Sequence, residues 1–201
     1  MNASVHIIDD EDSIRDALEF LFASRGIRTV GWASGEAFLA AMPIDDCGCI
    51  LLDVRMAGMS GPDVFDRLRL SGEEVPVIFL TGHADVPVAV QTLKAGAFDF
   101  VEKPFNDNHI VNLALAAMEA RARIHETARA RADLEARLAT LSVREKDVMR
   151  LMLQGWLNKQ VADTLDIAIR TVEVHRGRVL TKMGARNAVE LGRMLGATEI
   201  D

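Results

Sequence analysis

The sequence has few cysteines and lacks any long apolar run. Cys47 and Cys49 are its two cysteines, and a disulfide across this spacing would be strained, while C-x-C without a second pair makes a poor zinc site. No apolar stretch approaches the roughly 18 residues of a membrane span. The N-terminus lacks a basic segment followed by an apolar one, so no signal peptide is expected. We therefore expect a cytoplasmic protein that has no membrane partner.

Basic residues are scarce in the first part of the chain. Residues 1–120 contain 8 Lys and Arg against 19 Asp and Glu, whereas residues 139–201 contain 10 against 8. With 201 residues, 49% of them hydrophobic, the chain has enough apolar material for two cores. The acidic part suits a metal site and not nucleic acid, whereas the second part can face phosphates.

Short β-branched runs alternate with amphipathic segments over the first 120 residues. The predicted strands are 5–8, 28–32, 49–53, 75–81 and 98–102. The predicted helices are 13–24, 35–41, 62–70, 86–95 and one that starts near Asn106. This alternation predicts an α/β doubly wound domain with a five-stranded parallel sheet at 1–120.

The segment after this domain is predicted to be a long helix. Residues 113–141 contain no Gly or Pro and are rich in Ala, Arg, Glu and Leu, which favour helix. We assign 121–138 as a helical linker. Leu134, Leu138 and Leu141 have helical spacing, and two alternatives stay open for this helix: a coiled-coil dimer seam, or a helix that is solvated or packed within its own chain.

The remaining residues, 139–201, are predicted to form a small domain of four helices. Ser142 and Glu145 form a capping box before the first helix, and Gly155 ends it. The next helices are predicted at 158–165, 169–183 and 188–195. The short connection between the helices at 158–165 and 169–183 is typical of a helix-turn-helix motif.

Polar residues follow several predicted strands of the first domain. Asp9 and Asp10 follow the first strand, Asp53 ends the third, Thr81 ends the fourth and Lys103 follows the fifth. Ligands of open α/β sheets bind beyond these carboxyl ends. Clustered carboxylates repel unless a cation neutralises them, and Mg²⁺ prefers oxygen ligands. The pattern predicts that Asp53 accepts a phosphoryl group beside Mg²⁺ and Lys103.

Residues 1–120 resemble the receiver domain of two-component response regulators, most closely those of the FixJ type. The matching motifs are IIDDED, LLDVRMAGMSG, VIFLTGHAD and FDFVEKPF. The resemblance implies that Asp53 is the phosphoacceptor and that Thr81 and Lys103 bind the phosphoryl oxygens. It also implies that Asp10, Asp53 and the Arg55 carbonyl bind Mg²⁺ directly and that Asp9 acts through water. Phe100 would be a switch residue that turns inward as Thr81 moves. The Lys103–Pro104 peptide bond would be cis. One departure is Ala57, where the family usually has proline.

Residues 139–201 resemble the helix-turn-helix module of LuxR/FixJ-type regulators. The matching stretches are LSVREKDVMRLMLQG, NKQVADTL and RTVEVHRGRVLTKMGARNAVEL. The third helix would enter the major groove of double-stranded DNA and read it with Glu173, Val174 and Gly177, flanked by Arg176 and Arg178. Phosphate contacts would come from Lys159, Arg170, Thr171 and Lys182. Ala168 stands where serine usually caps this helix, and Asp166 where the turn usually has glycine.

The two resemblances together predict a transcription factor that is controlled by phosphorylation and is not an enzyme. The expected partners are a sensor histidine kinase, promoter DNA, a second copy of the chain after phosphorylation, and RNA polymerase. Two alternatives are a magnesium-dependent enzyme with an aspartyl-phosphate intermediate and a receiver adaptor that signals through protein contacts. Against the enzyme, position 55 is Arg rather than a second acid; against the adaptor stands the helix-turn-helix motif.

Overall fold

The computed structural model describes residues 3–44, 46–82 and 86–196, of which 86–88 are described by their backbone alone. The chain divides into two compact units, residues 1–125 and residues 126–201. No helix within the described ranges is long and apolar enough to cross a membrane. The division lies inside the predicted linker, and the boundaries 1–120, 121–138 and 139–201 stay a prediction.

The first unit is built on a parallel sheet of five strands, which confirms the predicted fold class. The strands lie in the order β2-β1-β3-β4-β5, and all four neighbouring pairs are parallel. The elements in chain order are β1 (Ser4–Ile8), α1 (Asp12–Ser24), β2 (Thr29–Trp32), α2 (Gly35–Ala40), β3 (Cys47–Asp53), α3 (Gly61–Leu70), β4 (Val77–Thr81), α4 (Val86–Lys94), β5 (Asp99–Glu102) and α5 (Asp107–Ala139).

Successive side chains of the strands point to opposite faces of the sheet, and each face carries its own apolar core. On one face Leu51 and Leu80 pack with Phe22 of α1 and Ile110 of α5. The second face has Ile50, Leu52 and Phe79, which pack with Phe38 of α2 and Val64 of α3. Because β3 is central and covered on both faces, its last residue, Asp53, is held at a fixed position.

The second unit is helical, as predicted. As far as residue 196, where its described part ends, it contains the end of α5 and four further helices: α6 (Val143–Leu153), α7 (Asn158–Leu165), α8 (Ile169–Met183) and α9 (Ala188–Gly196). The predicted capping box is present, since Ser142 accepts from the Glu145 amide and Glu145 accepts from the Ser142 amide.

Leu134, Leu138 and Leu141 pack within the second unit. Leu134 and Leu141 are buried in a cluster with Val179 and Met183 of α8, and Leu138 packs against the same cluster. These contacts support packing within the chain, one of the two alternatives that the sequence left open.

Candidate metal centre and nucleic-acid interface

Three carboxylates come together at the carboxyl edge of the sheet. Asp9 and Asp10 follow β1 and Asp53 ends β3, and each offers one oxygen within 4.8 Å of the others. Asp9 is fully buried, Asp53 is 7% exposed and Asp10 is exposed. The side chains that the sequence placed at neighbouring strand ends are therefore adjacent in space.

Lys103 lies against two of these acids. Its Nζ is 2.6 Å from Asp53 Oδ1 and 2.7 Å from Asp9 Oδ2. The backbone amide of Lys103 donates to the Thr81 carbonyl at 2.8 Å, which ties the segment after β5 to the end of β4. The Lys103–Pro104 peptide bond is cis, as the resemblance implied. The cluster contains three carboxylates and one ammonium group, so it keeps an excess of negative charge.

The pKa values of Asp53 and Lys103 reflect this burial and pairing. Loss of solvent raises the pKa of Asp53, Lys103 opposes that rise, and Asp9 adds to it. For Lys103, burial lowers the pKa, but the hydrogen bonds to Asp53 and Asp9 and the charges of these two acids together outweigh burial, so the net pKa is raised. Lys103 is therefore a cation at neutral pH, and it stabilises the ionised form of Asp53 that can act as a nucleophile.

The loop between β3 and α3 contacts acidic side chains through its backbone. Three amides at alternate positions each donate to a carboxylate: Arg55 N to Asp53 Oδ2 at 2.9 Å, Ala57 N to Asp10 Oδ2 at 2.8 Å, and Met59 N to Glu36 Oε1 at 2.9 Å. Sequence reasoning missed these contacts, because a backbone amide leaves no signal in the residue type unless the residue is proline.

Gly61 allows α3 to begin directly against the end of β3. A Cβ at this position would lie 2.2 Å from the Asp53 carbonyl oxygen, so no other residue fits without a backbone shift. The Gly61 amide donates to the Val54 carbonyl at 3.1 Å. The last glycine of the LLDVRMAGMSG motif thus closes the loop on itself and fixes the segment that follows Asp53.

Thr81 and Phe100 lie on the neighbouring strands β4 and β5. Thr81 is buried, and its hydroxyl donates to the Gly82 carbonyl at 3.1 Å. Phe100 is half-buried and packs against the apolar cluster of the second sheet face. The register pairs Thr81 with Glu102 and Phe100 with Phe79, so the two predicted switch residues lie close along adjacent strands.

The donor set of the acid cluster fits a hard divalent cation. Its ligand atoms are carboxylate oxygens, which Mg²⁺ prefers, and their excess negative charge needs a cation. Both carboxylate oxygens of Asp9 are already engaged, one by Lys103 and the other by the Glu11 amide at 2.9 Å. Asp10, in contrast, is exposed and reachable from solvent.

Most of the predicted DNA-binding residues form an exposed surface on α8. Val172, Val179 and Met183 are fully buried on the opposite side of the helix, which turns its polar side outward. Val174 is 45% exposed. The other predicted residues, apart from the half-buried Arg176, are also exposed: Lys159 on α7, and Arg170, Thr171, Glu173, Gly177, Arg178 and Lys182 on α8.

Both departures in the turn before α8 have a local explanation. Asp166 ends α7 in the left-handed conformation, with φ 50°, a geometry that Asp tolerates better than most residues. Ala168 is the N-cap of α8 and makes no side-chain cap hydrogen bond, so the helix forgoes about 1 kcal/mol relative to a serine cap. Neither departure changes the exposed surface of α8.

Two cations of α8 also have partners inside the unit. Lys182 Nζ is 2.6 Å from Glu145 Oε2 and 2.9 Å from the Thr140 carbonyl oxygen. Arg176 donates to the Trp156 carbonyl at 3.4 Å. The hydrogen bond from Lys182, and then that from the Ser142 amide, lower the pKa of Glu145 to about 2. Lys182 thus links α8 to the capping box of α6, a role that its sequence context did not indicate.

Two protein families match the two parts of the chain. The family described as response regulator receiver domain matches residues 5–115, and the family of bacterial regulatory proteins of the luxR type matches residues 139–195. The chain is 63% identical over 196 residues to the C4-dicarboxylate transport transcriptional regulatory protein DctR of Rhodobacter capsulatus, covering 96% of this chain and 100% of that protein. It is 44% identical over 191 residues to FixJ of Azorhizobium caulinodans, covering 94% and 90%.

Solved structures of response regulators resemble the chain over nearly its whole length. The response regulator StyR aligns with a TM-score of 0.89 at 31% identity, covering 97% of this chain and 98% of that one. Full-length FixJ from B. japonicum aligns with a TM-score of 0.63 at 37% identity, covering 99% and 98%. Sequence and fold therefore point to the same family.

Proposed function

The chain belongs to the two-component response regulators that join a receiver domain to a LuxR-type DNA-binding domain, and we propose which of its residues carry out each step of that function. The family consists of transcriptional regulators, which sets aside the enzyme alternative. The second matched domain also sets aside an adaptor without DNA binding. The proposed domain boundaries are 1–120 for the receiver, 121–138 for the linker and 139–201 for the DNA-binding domain.

Asp53 is the proposed phosphoacceptor. A carboxylate oxygen of Asp53 attacks the phosphorus of a phosphohistidine on a sensor histidine kinase, the bond from phosphorus to the imidazole nitrogen breaks, and an aspartyl phosphate forms. The observation that carries this role is the position of Asp53, which ends the central strand with an ammonium group 2.6 Å from its Oδ1. Lys103 and the Thr81 hydroxyl are the proposed contacts of the transferred phosphoryl oxygens.

Asp10, Asp53 and the Arg55 carbonyl are the proposed direct ligands of Mg²⁺, and Asp9 is proposed to act through water. Lys103 and the Glu11 amide hold the two Asp9 oxygens in place beside the proposed site. Bound Mg²⁺ would neutralise negative charge on the phosphoryl oxygens. The chain's own contribution is to hold the oxygen ligands together and to keep Asp53 ionised beside Lys103.

Helix α8 is the proposed recognition helix. Its exposed Glu173, Val174 and Gly177 would face base edges, with Arg176 and Arg178 beside them. Lys159, Arg170, Thr171 and Lys182 would contact phosphates. Residues 170–186 hold five Lys and Arg against one Glu, and such a local positive patch supports binding to phosphates inside an otherwise acidic chain.

Phosphorylation is proposed to create a homodimer through the receiver face of α4, β5 and α5. Val90 on α4 and Leu115 on α5 are exposed apolar side chains on these elements. Movement of Thr81 and Phe100 after phosphorylation is the proposed link between the site and this face. RNA polymerase is the proposed partner of the DNA-bound dimer.

The proposed target class is genes for C4-dicarboxylate transport. The support is the 63% identity to DctR of R. capsulatus over the whole of that protein. The test of the overall function is a genome-wide map of bound sites with and without phosphorylation of the chain. Sites that appear on phosphorylation and lie upstream of transport genes for dicarboxylates support both proposals, whereas a map that phosphorylation leaves unchanged contradicts control through Asp53.

A further inference from the structure

The carboxylates of the acid cluster differ in how firmly they are held. Asp9 is buried and has donors on both oxygens, and Asp53 is held by Lys103 and the Arg55 amide. Asp10 is exposed, and the donor that the structure places against its carboxylate is the Ala57 amide at 2.8 Å. An exposed side chain loses conformational freedom when it binds a cation, and that loss opposes binding unless the side chain is already ordered.

We infer that the Ala57 backbone amide is a positioning group for the cation ligand Asp10. It holds Oδ2 of Asp10 in the arrangement in which one oxygen of each of Asp9, Asp10 and Asp53 lies within 4.8 Å of the others. Hydrogen bonds to the ligands of a metal fix their orientation and contribute to metal affinity. The inference rests on the proposed magnesium site and adds the residue that prepares its exposed ligand.

The loop gives the Ala57 amide a fixed place. On one side the Arg55 amide is bonded to Asp53, and on the other the Met59 amide is bonded to Glu36 of α2. The loop end is closed by Gly61 on the Val54 carbonyl. Because hydrogen bonds hold the backbone on both sides of position 57, its N–H is a fixed donor, and the exposed Asp10 side chain is bonded to it.

This role depends on the residue at position 57 being one that has an N–H. Proline, which is usual there in the family that the sequence resembles, has none. Alanine therefore gives this chain a hydrogen bond that a proline-containing loop lacks, and the same substitution provides a direct test.

The test titrates Mg²⁺ alone into the unphosphorylated full-length chain and follows backbone amide resonances by NMR. Ala57→Pro removes the donor, and Ala57→Ser keeps the amide and serves as the matched control. We expect Mg²⁺ to bind Ala57→Pro about tenfold more weakly, at the low end of the range for such supporting groups because Asp10 is exposed. Ala57→Ser is expected to bind as the wild type does. Equal affinity of the Pro variant and the wild type would overturn the inference.

Two further measurements keep the result interpretable. Asp10→Ala should speed hydrogen exchange of the Ala57 amide but not that of the Met59 amide, which is bonded to Glu36; unchanged exchange at Ala57 would refute the inference even if the Pro variant failed to fold. Asp10→Asn should weaken Mg²⁺ binding. A wild type that does not bind Mg²⁺, or an Asn variant that binds equally well, would instead refute the proposed magnesium site.

Discussion

Lys103 Nζ lies 2.6 Å from Asp53 Oδ1. The cation proposed to bind the phosphoryl group is therefore already in contact with the carboxylate of the proposed phosphoacceptor. The same nitrogen contacts Asp9 at 2.7 Å, and the Lys103 amide is tied to the end of β4. Phosphorylation of Asp53 would therefore act on three strand ends through one residue, Lys103. The Thr81 hydroxyl, by contrast, donates to the Gly82 carbonyl and has to turn to reach a phosphoryl oxygen.

Lys103→Arg and Thr81→Ala should separate phosphorylation from its consequence. We expect both variants to bind Mg²⁺ with nearly the wild-type affinity, because neither side chain is a proposed metal ligand. Both should fail to gain DNA affinity after phosphorylation. The measurement is operator binding before and after treatment with acetyl phosphate, beside a Mg²⁺ titration. A variant that responds as the wild type does would show that its side chain is not part of the switch.

Asp53→Asn should abolish phosphorylation. The amide is a poor nucleophile, so acetyl phosphate with Mg²⁺ should add one phosphoryl group to the wild type, by intact mass, and none to the variant. Removal of Mg²⁺ with a chelator should also stop labelling of the wild type, since three carboxylates would otherwise repel the incoming anion. Labelling of the Asn variant to the wild-type level would place the acceptor elsewhere.

The sequence predicted the local elements well, because their signals are local. The bounds of α7 and α8 match the structure, since a glycine or left-handed residue ends each helix. Strand bounds differ more, because pairing sets them. β3 begins at Cys47 and not at Cys49, since Ser4 of β1 pairs with Cys47 at an irregularity in the register.

The site was predictable where its side chains follow strand ends and not where a loop backbone contacts them. Asp9, Asp53 and Lys103 were placed together because parallel strands end at one edge of a sheet. The Ala57 amide and its acceptor Asp10 are 47 residues apart, and no periodicity links them. Likewise, the basic surroundings of Lys182 predicted a phosphate contact, while its acidic partner lies on another helix.

Activation should convert a monomer into a dimer through α4, β5 and α5. Sedimentation at micromolar concentration should show a dimer after phosphorylation, and charge placed at exposed Leu115 should prevent it because a buried charge is costly. Leu115→Glu is the test, and Leu70→Glu on α3, another exposed leucine, is the matched control. A phosphorylated wild type that remains a monomer both free and on DNA contradicts the proposed dimer.

The stability of the receiver should fall below pH 6.5 because of His6. Trp32 Nε1 donates to His6 Nδ1 at 3.0 Å. The Ser4 hydroxyl donates to the Asp46 carbonyl, so Ser4 Oγ accepts from His6 Nε2. His6 is thus neutral and cannot gain a proton without facing the Trp32 donor. Burial lowers the pKa of His6 from its ordinary value, Asp46 opposes this and Arg121 adds to it.

The sign of this pH effect follows from the lowered pKa of His6. Because the pKa of His6 is lowered in the folded chain, the unfolded chain binds more protons at His6 than the folded chain does as the pH falls through about 6.5. The free energy of unfolding therefore falls with the pH, by at most about 1.4 kcal/mol per pH unit. Urea unfolding at pH 7.5 and 5.5 measures it. The decrease should be smaller in His6→Gln, which does not titrate, and an equal decrease in both proteins would assign the effect to other groups.

Val174 and Lys182 should affect DNA binding in different ways. Val174 is exposed on the side of α8 opposite its buried residues and is proposed to contact a base edge. Val174→Ala should therefore cost roughly 1–3 kcal/mol of operator affinity and leave binding to random duplexes almost unchanged. A salt titration with operator and random duplexes measures both quantities, and equal weakening on the two duplexes would mean that α8 lies in the groove in another register.

Lys182 is proposed to contact phosphate, but it also contacts Glu145 and the Thr140 carbonyl. Lys182→Ala should weaken binding to both duplexes and reduce the magnitude of the salt slope by about 1. Because the variant also leaves the Glu145 carboxylate without its ammonium partner, the domain should unfold at a lower temperature. Glu145→Gln separates the two roles: it removes the ion pair while keeping Lys182, so its salt slope should stay as in the wild type. If Lys182→Ala lowers thermal stability and leaves the salt slope unchanged, Lys182 holds α8 on α6 and does not contact DNA.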